Sequence, residues 1–91
     1  MSTELSSSEK MKRNMKIAME WVDKLDYRIA SVSVYDFSIS LIADKYSIEF
    51  SNKILDVARE KGVSFNVARN GENDFLYYTS NEIGLDIIFI D

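Results

Sequence analysis

Apolar residues in this chain recur with two different periods, and the change from one to the other just after Leu25 is what most constrains the fold. Met11, Met15, Ala18, Val22 and Leu25 lie three or four apart, with Met19 and Trp21 widening the stripe, which is the pattern of a helix with one face in a core. Ser6 followed three residues later by Glu9 fits a capping box, so the sequence predicts a helix over 7–25 after a short mobile lead-in of residues 1–6. The Met-rich stripe is read as core, although methionine also suits a partner groove because it repacks easily. From Tyr27 the period becomes two. Tyr27, Ile29, Ser31, Ser33 and Tyr35 alternate with Arg28, Ala30, Val32 and Val34, and the β-branched and aromatic content suits a strand.

Two further alternating runs, Phe37-Ile39-Leu41 and Tyr46-Ile48-Phe50, predict two more strands. A second helix is expected over about 51–61, capped by Ser51 and stopped by Gly62, with an earlier start near Ser47 as the other option. Val63, Phe65 and Val67 alternate up to Asn70-Gly71, a strong hairpin signal; the return strand is 75–79, and the last strand is 85–90. The predicted order is α-β-β-β-α-β-β-β: a single α+β domain spanning residues 1–91, with an antiparallel β-sheet and both helices on one face. In the last strand Leu85, Ile87 and Phe89 fill one side while Ile88 and Ile90 fill the other, so both faces ask for burial. A homodimer with Ile88 and Ile90 at its interface answers that demand, and a mispredicted sheet face or a helix that wraps the other side answers it equally well.

Composition removes most catalytic chemistry. The 91 residues include no Cys and no His, so there is no disulfide framework, no thiolate or imidazole and no Ser-His-Asp triad. The three glycines are too scattered to cradle a phosphate, Ser7-Ser8-Glu9-Lys10 reads as helix capping rather than a Ser-x-x-Lys nucleophile, and Glu72-Asn73-Asp74 reads as a solvated turn rather than a cation loop. The chain is therefore expected not to be an enzyme and to need no cofactor or metal. No apolar run reaches the ~18–20 residues that span a bilayer, and the N-terminus lacks the order of a secretory signal, so the expected location is cytoplasmic.

Charge is distributed unevenly. The net charge is −4, made up of +2 over residues 1–19, −1 over 20–69 and −5 over 70–91, where no base occurs. The basic quartet Lys10, Lys12, Arg13 and Lys16 reads as a solvated helix face, with Glu9–Arg13 and Lys16–Glu20 at pairing distance along a helix. Acids form the larger constellation: Glu20, Asp23 and Asp26 at the end of the first helix, Glu49, Asp56 and Glu60 on the second, and Glu72, Asp74, Glu82 and Asp86 toward the C-terminus. Neighbouring acids on a helix lie ~5–6 Å apart, comparable to successive phosphates on a strand, and acids at a helix C-terminus oppose the macrodipole.

In size, acidity and inferred architecture the chain resembles the small phage-type inhibitors that act as DNA mimics, the anti-restriction proteins among them. That resemblance implies a non-enzymatic protein whose acidic residues occupy the basic nucleic-acid-binding site of a host protein, with no direct contact to nucleic acid. The alternative is a small dimeric regulatory or antitoxin-like module that touches nucleic acid through its basic first helix.

Overall fold

The computed structural model describes residues 6–25, 29–70 and 75–89. Its elements are α1 (Ser7–Leu25), β1 (Ile29–Val34), β2 (Ile39–Ala43), α2 (Ile48–Lys61), β3 (Asn66–Asn70), β4 (Phe75–Ser80) and β5 (Leu85–Phe89). The class is α+β, as the two hydrophobic periods predict.

Helix α1 starts where the capping residue places it, with the Ser6 hydroxyl accepting from the Glu9 N–H at 3.2 Å. The third predicted strand does not form. Tyr46 precedes α2, while Ile48 and Phe50 lie in its first turn, because Ser47 is the residue that caps this helix: its hydroxyl accepts from the Phe50 N–H at 3.0 Å. Ser51, the expected cap, is buried inside the helix instead, where its hydroxyl hydrogen-bonds that of Tyr78. Tyr46 and Phe50 fit either period, being four apart on a helix and two steps of alternation in a strand, and the cap decides; Ile48, which fits only the strand period, is left 71% exposed. Gly62 ends α2 in the left-handed region at φ +71°, its N–H reaching the carbonyls of Ala58 and Arg59.

The sheet order is β1-β2-β5-β4-β3. Three neighbouring pairs are antiparallel, but β2 and β5 run parallel, so the sheet is mixed rather than wholly antiparallel. The last strand thereby becomes the centre of the sheet, flanked by β2 and β4, which explains its apolar character. Leu85, Ile87 and Phe89 join Ile39, Leu41 and Ala43 on the covered face, where Phe50, Ile54 and Val57 of α2 and Ala18, Trp21 and Leu25 of α1 complete the core. Fully burying a large apolar side chain contributes about 1.5–3 kcal/mol, so this cluster is the main stabilising element.

The Met stripe is the second correction. Helix α1 turns Asn14, Ala18, Trp21 and Leu25 inward, leaving Met11, Met15 and Met19 with 40%, 52% and 59% of their surface in solvent. Two groups set this rotation: Trp21, which packs edge-on against Phe65, and Asn14, whose amide is consumed inside the fold. On the uncovered face of the sheet Ile88 is half-buried in a row with Ile42 and Tyr77. Ile90, its predicted companion, lies outside the described residues, as do the lead-in residues 1–5 and the predicted strand start at Tyr27 and Arg28. Among the described residues no helix is long and apolar enough to cross a membrane.

Candidate functional site

The acidic constellation is largely spent within the fold. The Glu20 carboxylate accepts from the Lys61 ammonium rather than from Lys16, and Glu60 accepts from Lys24 at 2.7 Å, so two ion pairs of opposite sense bridge α1 and α2. The hydrogen bond and charge of Lys24 hold the Glu60 carboxyl below its ordinary pKa. Asp56 lies 3.5 Å from Arg59 one turn along α2. Glu82 accepts from the Ser64 N–H at 3.1 Å and from its hydroxyl at 2.5 Å, and Asp86 accepts from Thr79 at 2.5 Å on the uncovered face. Of the proposed row at the end of α1, Asp23 is exposed and has no partner among the described residues, and Asp26 lies outside the described residues, as do Glu72 and Asp74. Glu49 is exposed in the first turn of α2. The seven described acids of this constellation therefore sit on several separate surfaces: Glu20, Asp56 and Glu60 are ion-paired, Glu82 and Asp86 accept from neutral donors and keep their charge, and Asp23 and Glu49 have no partner among the described residues. Among the described residues no group of three or more acids is placed to hold a metal ion.

The bases of α1 are treated differently. Lys10, Lys12, Arg13 and Lys16 form no ion pair with any described residue, and the predicted Glu9–Arg13 and Lys16–Glu20 pairs are absent. Beside them, β1 and β2 are joined by a tight hairpin closed by a 2.8 Å bond from the Tyr35 N–H to the Ser38 carbonyl. This turn is fastened to α1 by the buried Asn14 side chain, whose amide donates to the Tyr35 carbonyl at 2.8 Å and the Asp36 carbonyl at 3.4 Å. A helix residue is thus used as a clamp on a loop, and a buried amide left without those acceptors would be costly.

The clamped turn presents two aromatic rings. Tyr35 and Phe37 stack with centroids 5.3 Å apart and planes 24° apart, and Phe37 keeps 77% of its surface in solvent. Phe37 fitted the strand period, but it falls in the turn and points away from the core. The Ile39 N–H donates to the Gly84 carbonyl at 2.8 Å, which brings the β4–β5 turn alongside. Gly84 adopts φ +65°, a conformation that favours glycine, and a Cβ there would lie 3.5 Å from the Phe37 carbonyl.

Between these turns and α1 lies an open cleft of about 420 Å³, whose walls include Arg13, Asn14, Phe37, Asn81 and Ile83. Asp36 and Glu82 also line it, and the Glu82 carboxylate, held by the neutral Ser64 backbone and hydroxyl, keeps its charge there. Sequence reasoning found the cations and missed the aromatic platform, because Tyr35 and Phe37 are more than twenty positions from Arg13. The signal that was available is the adjacency of Tyr35-Asp36-Phe37 to a polar break between strands. Comparison with protein-family models, curated proteins and solved structures finds no match to this chain.

Proposed function

We propose that the protein is a non-catalytic module that binds single-stranded nucleic acid across the N-terminal half of α1 and the Tyr35–Phe37 platform. The observation that carries this reading is the meeting of Arg13 and the solvent-facing Phe37 ring in one cleft, on a helix where Lys10 and Lys12 also have no ion-pair partner among the described residues. Phosphates are attracted by such cations, and an exposed ring gives an unpaired base a surface to stack on, worth about 1–3 kcal/mol per base. A duplex keeps its base faces stacked inside, so the platform favours a single strand. The lack of His and Cys supports a binding role rather than a chemical one. The net charge of −4 opposes diffuse attachment and confines binding to this one basic region.

The DNA-mimic reading ranks second. The acidic C-terminal segment and the unpaired Asp23 and Glu49 support it, while the engagement of Glu20, Asp56 and Glu60 in ion pairs counts against it.

Fluorescence anisotropy with a labelled single-stranded oligonucleotide separates the two. Binding should be saturable at low salt, weaker for the matching duplex, and reduced about tenfold or more by Phe37→Ala and by Arg13→Ala. Absence of binding to any oligonucleotide, with competition instead for the DNA site of a basic protein, would replace this reading by the mimic.

A further inference from the structure

The sheet ends on one side at β1, which pairs only with β2 among the described residues, so its outer row of backbone donors and acceptors is open. Edge strands are ordinarily guarded by charge, proline or a covering element. β1 reads Ile-Ala-Ser-Val-Ser-Val and carries neither charge nor proline; its one irregularity, the shift in register between Ile29 and Ser31, leaves Ser31–Val34 free to pair. The opposite edge, β3, carries Arg69. Register places Val32 opposite Leu41 on the helix-bearing face, yet 42% of Val32 is in solvent. Helical spacing puts the exposed Met11, Met15 and Met19 on one side of α1, and Ala18, Trp21 and Leu25 are already turned toward the core. Arg13, Ile17 and Glu20 lie on the flank that faces the cleft and α2, so the methionines lie on the other flank, toward the β1 edge. An unguarded strand edge and an apolar helix flank therefore adjoin.

We infer that this edge is a homodimer interface in which β1 pairs antiparallel with β1 of a second copy about a two-fold axis, while the methionine flanks of the two α1 helices pack against each other above the joined sheet. The charge pattern selects a second copy as the occupant. Asn14 is tied to Tyr35 and Asp36 at one end of β1, and Leu25 leads into Ile29 at the other, so α1 runs antiparallel to β1. The middle of β1 then lies near Met19. Lys16 and Asp23 stand on either side of that level on the outer surface of the helix, and neither forms an ion pair with a described residue. A two-fold axis there sets Lys16 of one helix beside Asp23 of the partner, and Asp23 beside the partner's Lys16. A partner surface of a single sign would meet repulsion at one end, whereas the same chain turned around meets attraction at both. The uncharged strand pairs with itself without like-charge contacts, and flexible methionines fill the seam between two helices. This interface is distinct from one built on Ile88, which lies on the uncovered sheet face, and it takes Lys16 out of the cation set proposed for nucleic acid, leaving Lys10, Lys12 and Arg13 there.

Sedimentation of the full chain over a range of concentrations tests the inference. The wild type should be dimeric at high micromolar concentration. Val32→Lys and Met19→Lys should each raise the dimer dissociation constant by about tenfold or more with an unchanged circular-dichroism spectrum, since both side chains are exposed in the single chain. Lys16→Asp and Asp23→Lys should each weaken the dimer, and the double exchange should restore it. A wild type that stays monomeric, a dimer that survives Val32→Lys and Met19→Lys but is lost in Ile88→Lys, or a double exchange that fails to restore association would each overturn it.

Discussion

Along α1, the stretch from Glu20 to Leu25 is bound to the rest of the molecule, whereas the two turns from Lys10 to Lys16 leave their charges unanswered. In the first region Trp21 and Leu25 are fully buried, Trp21 meets Phe65, and Glu20 and Lys24 are paired with Lys61 and Glu60 of α2. In the second, Asn14 is the buried side chain, and its amide faces a loop rather than an apolar partner. Both regions are rich in charge. The difference teaches that sign and number matter less than whether the fold supplies a counter-charge: one half of the helix contributes to assembly, and the other presents its groups to solvent, where a ligand can use them.

Four substitutions sharpen that contrast, taken from the largest expected effect to the smallest. Trp21→Ala should cost about 3–5 kcal/mol in urea unfolding, because it removes the largest fully buried side chain of the tied half. A loss well below that would mean that the two halves are not as different as their burial indicates. Asn14→Ala should cost about 1–3 kcal/mol by leaving the Tyr35 carbonyl without its donor, and should also loosen the aromatic platform. Its signature is weaker oligonucleotide binding together with reduced stability, whereas Phe37→Ala should weaken binding and leave thermal unfolding unchanged.

The smallest effect belongs to the exposed Lys24–Glu60 pair. The folded state lowers the Glu60 pKa, so the pair stabilises at pH values above the ordinary carboxylate range and that contribution is lost as pH falls through the lowered value. Glu60→Gln should flatten the acid side of the stability profile slightly and leave neutral binding untouched. A larger effect on binding than on stability would show that α2 takes part in the site.

What the sequence disclosed follows the range of the forces involved. Helix α1, the strands of residues 29–34 and 85–89, the antiparallel pairing of β3 with β4 and the stop at Gly62 rest on local period and caps, and all were legible; the turn from Gly71 that joins β3 to β4 lies outside the described residues. The sequence leaves the start of α2 open between Ser51 and an earlier start near Ser47, because Tyr46 and Phe50 fit either period, and the structure takes Ser47. The Met stripe was assigned to the core because hydropathy does not show which of two adjacent apolar flanks turns inward; Trp21 and the distant acceptors of Asn14 decide that. The pairing of Glu20 with Lys61 and the parallel contact of β2 with β5 join residues some forty positions apart, beyond any local pattern. For the same reason the cations were visible in the sequence and the platform beside them was not.

The salt dependence of oligonucleotide binding addresses the unpaired half of α1 most directly. Each phosphate neutralised on a single strand contributes about −0.7 to the slope of log K against log salt, so full use of Lys10, Lys12 and Arg13, the cations outside the dimer seam, corresponds to a slope of about −2. The wild type should show a linear dependence approaching that value, and Lys10→Gln with Arg13→Gln should reduce its magnitude by roughly two-thirds while the fold persists. A slope near zero, or one unchanged in the double variant, would contradict a binding site at the N-terminal half of this helix.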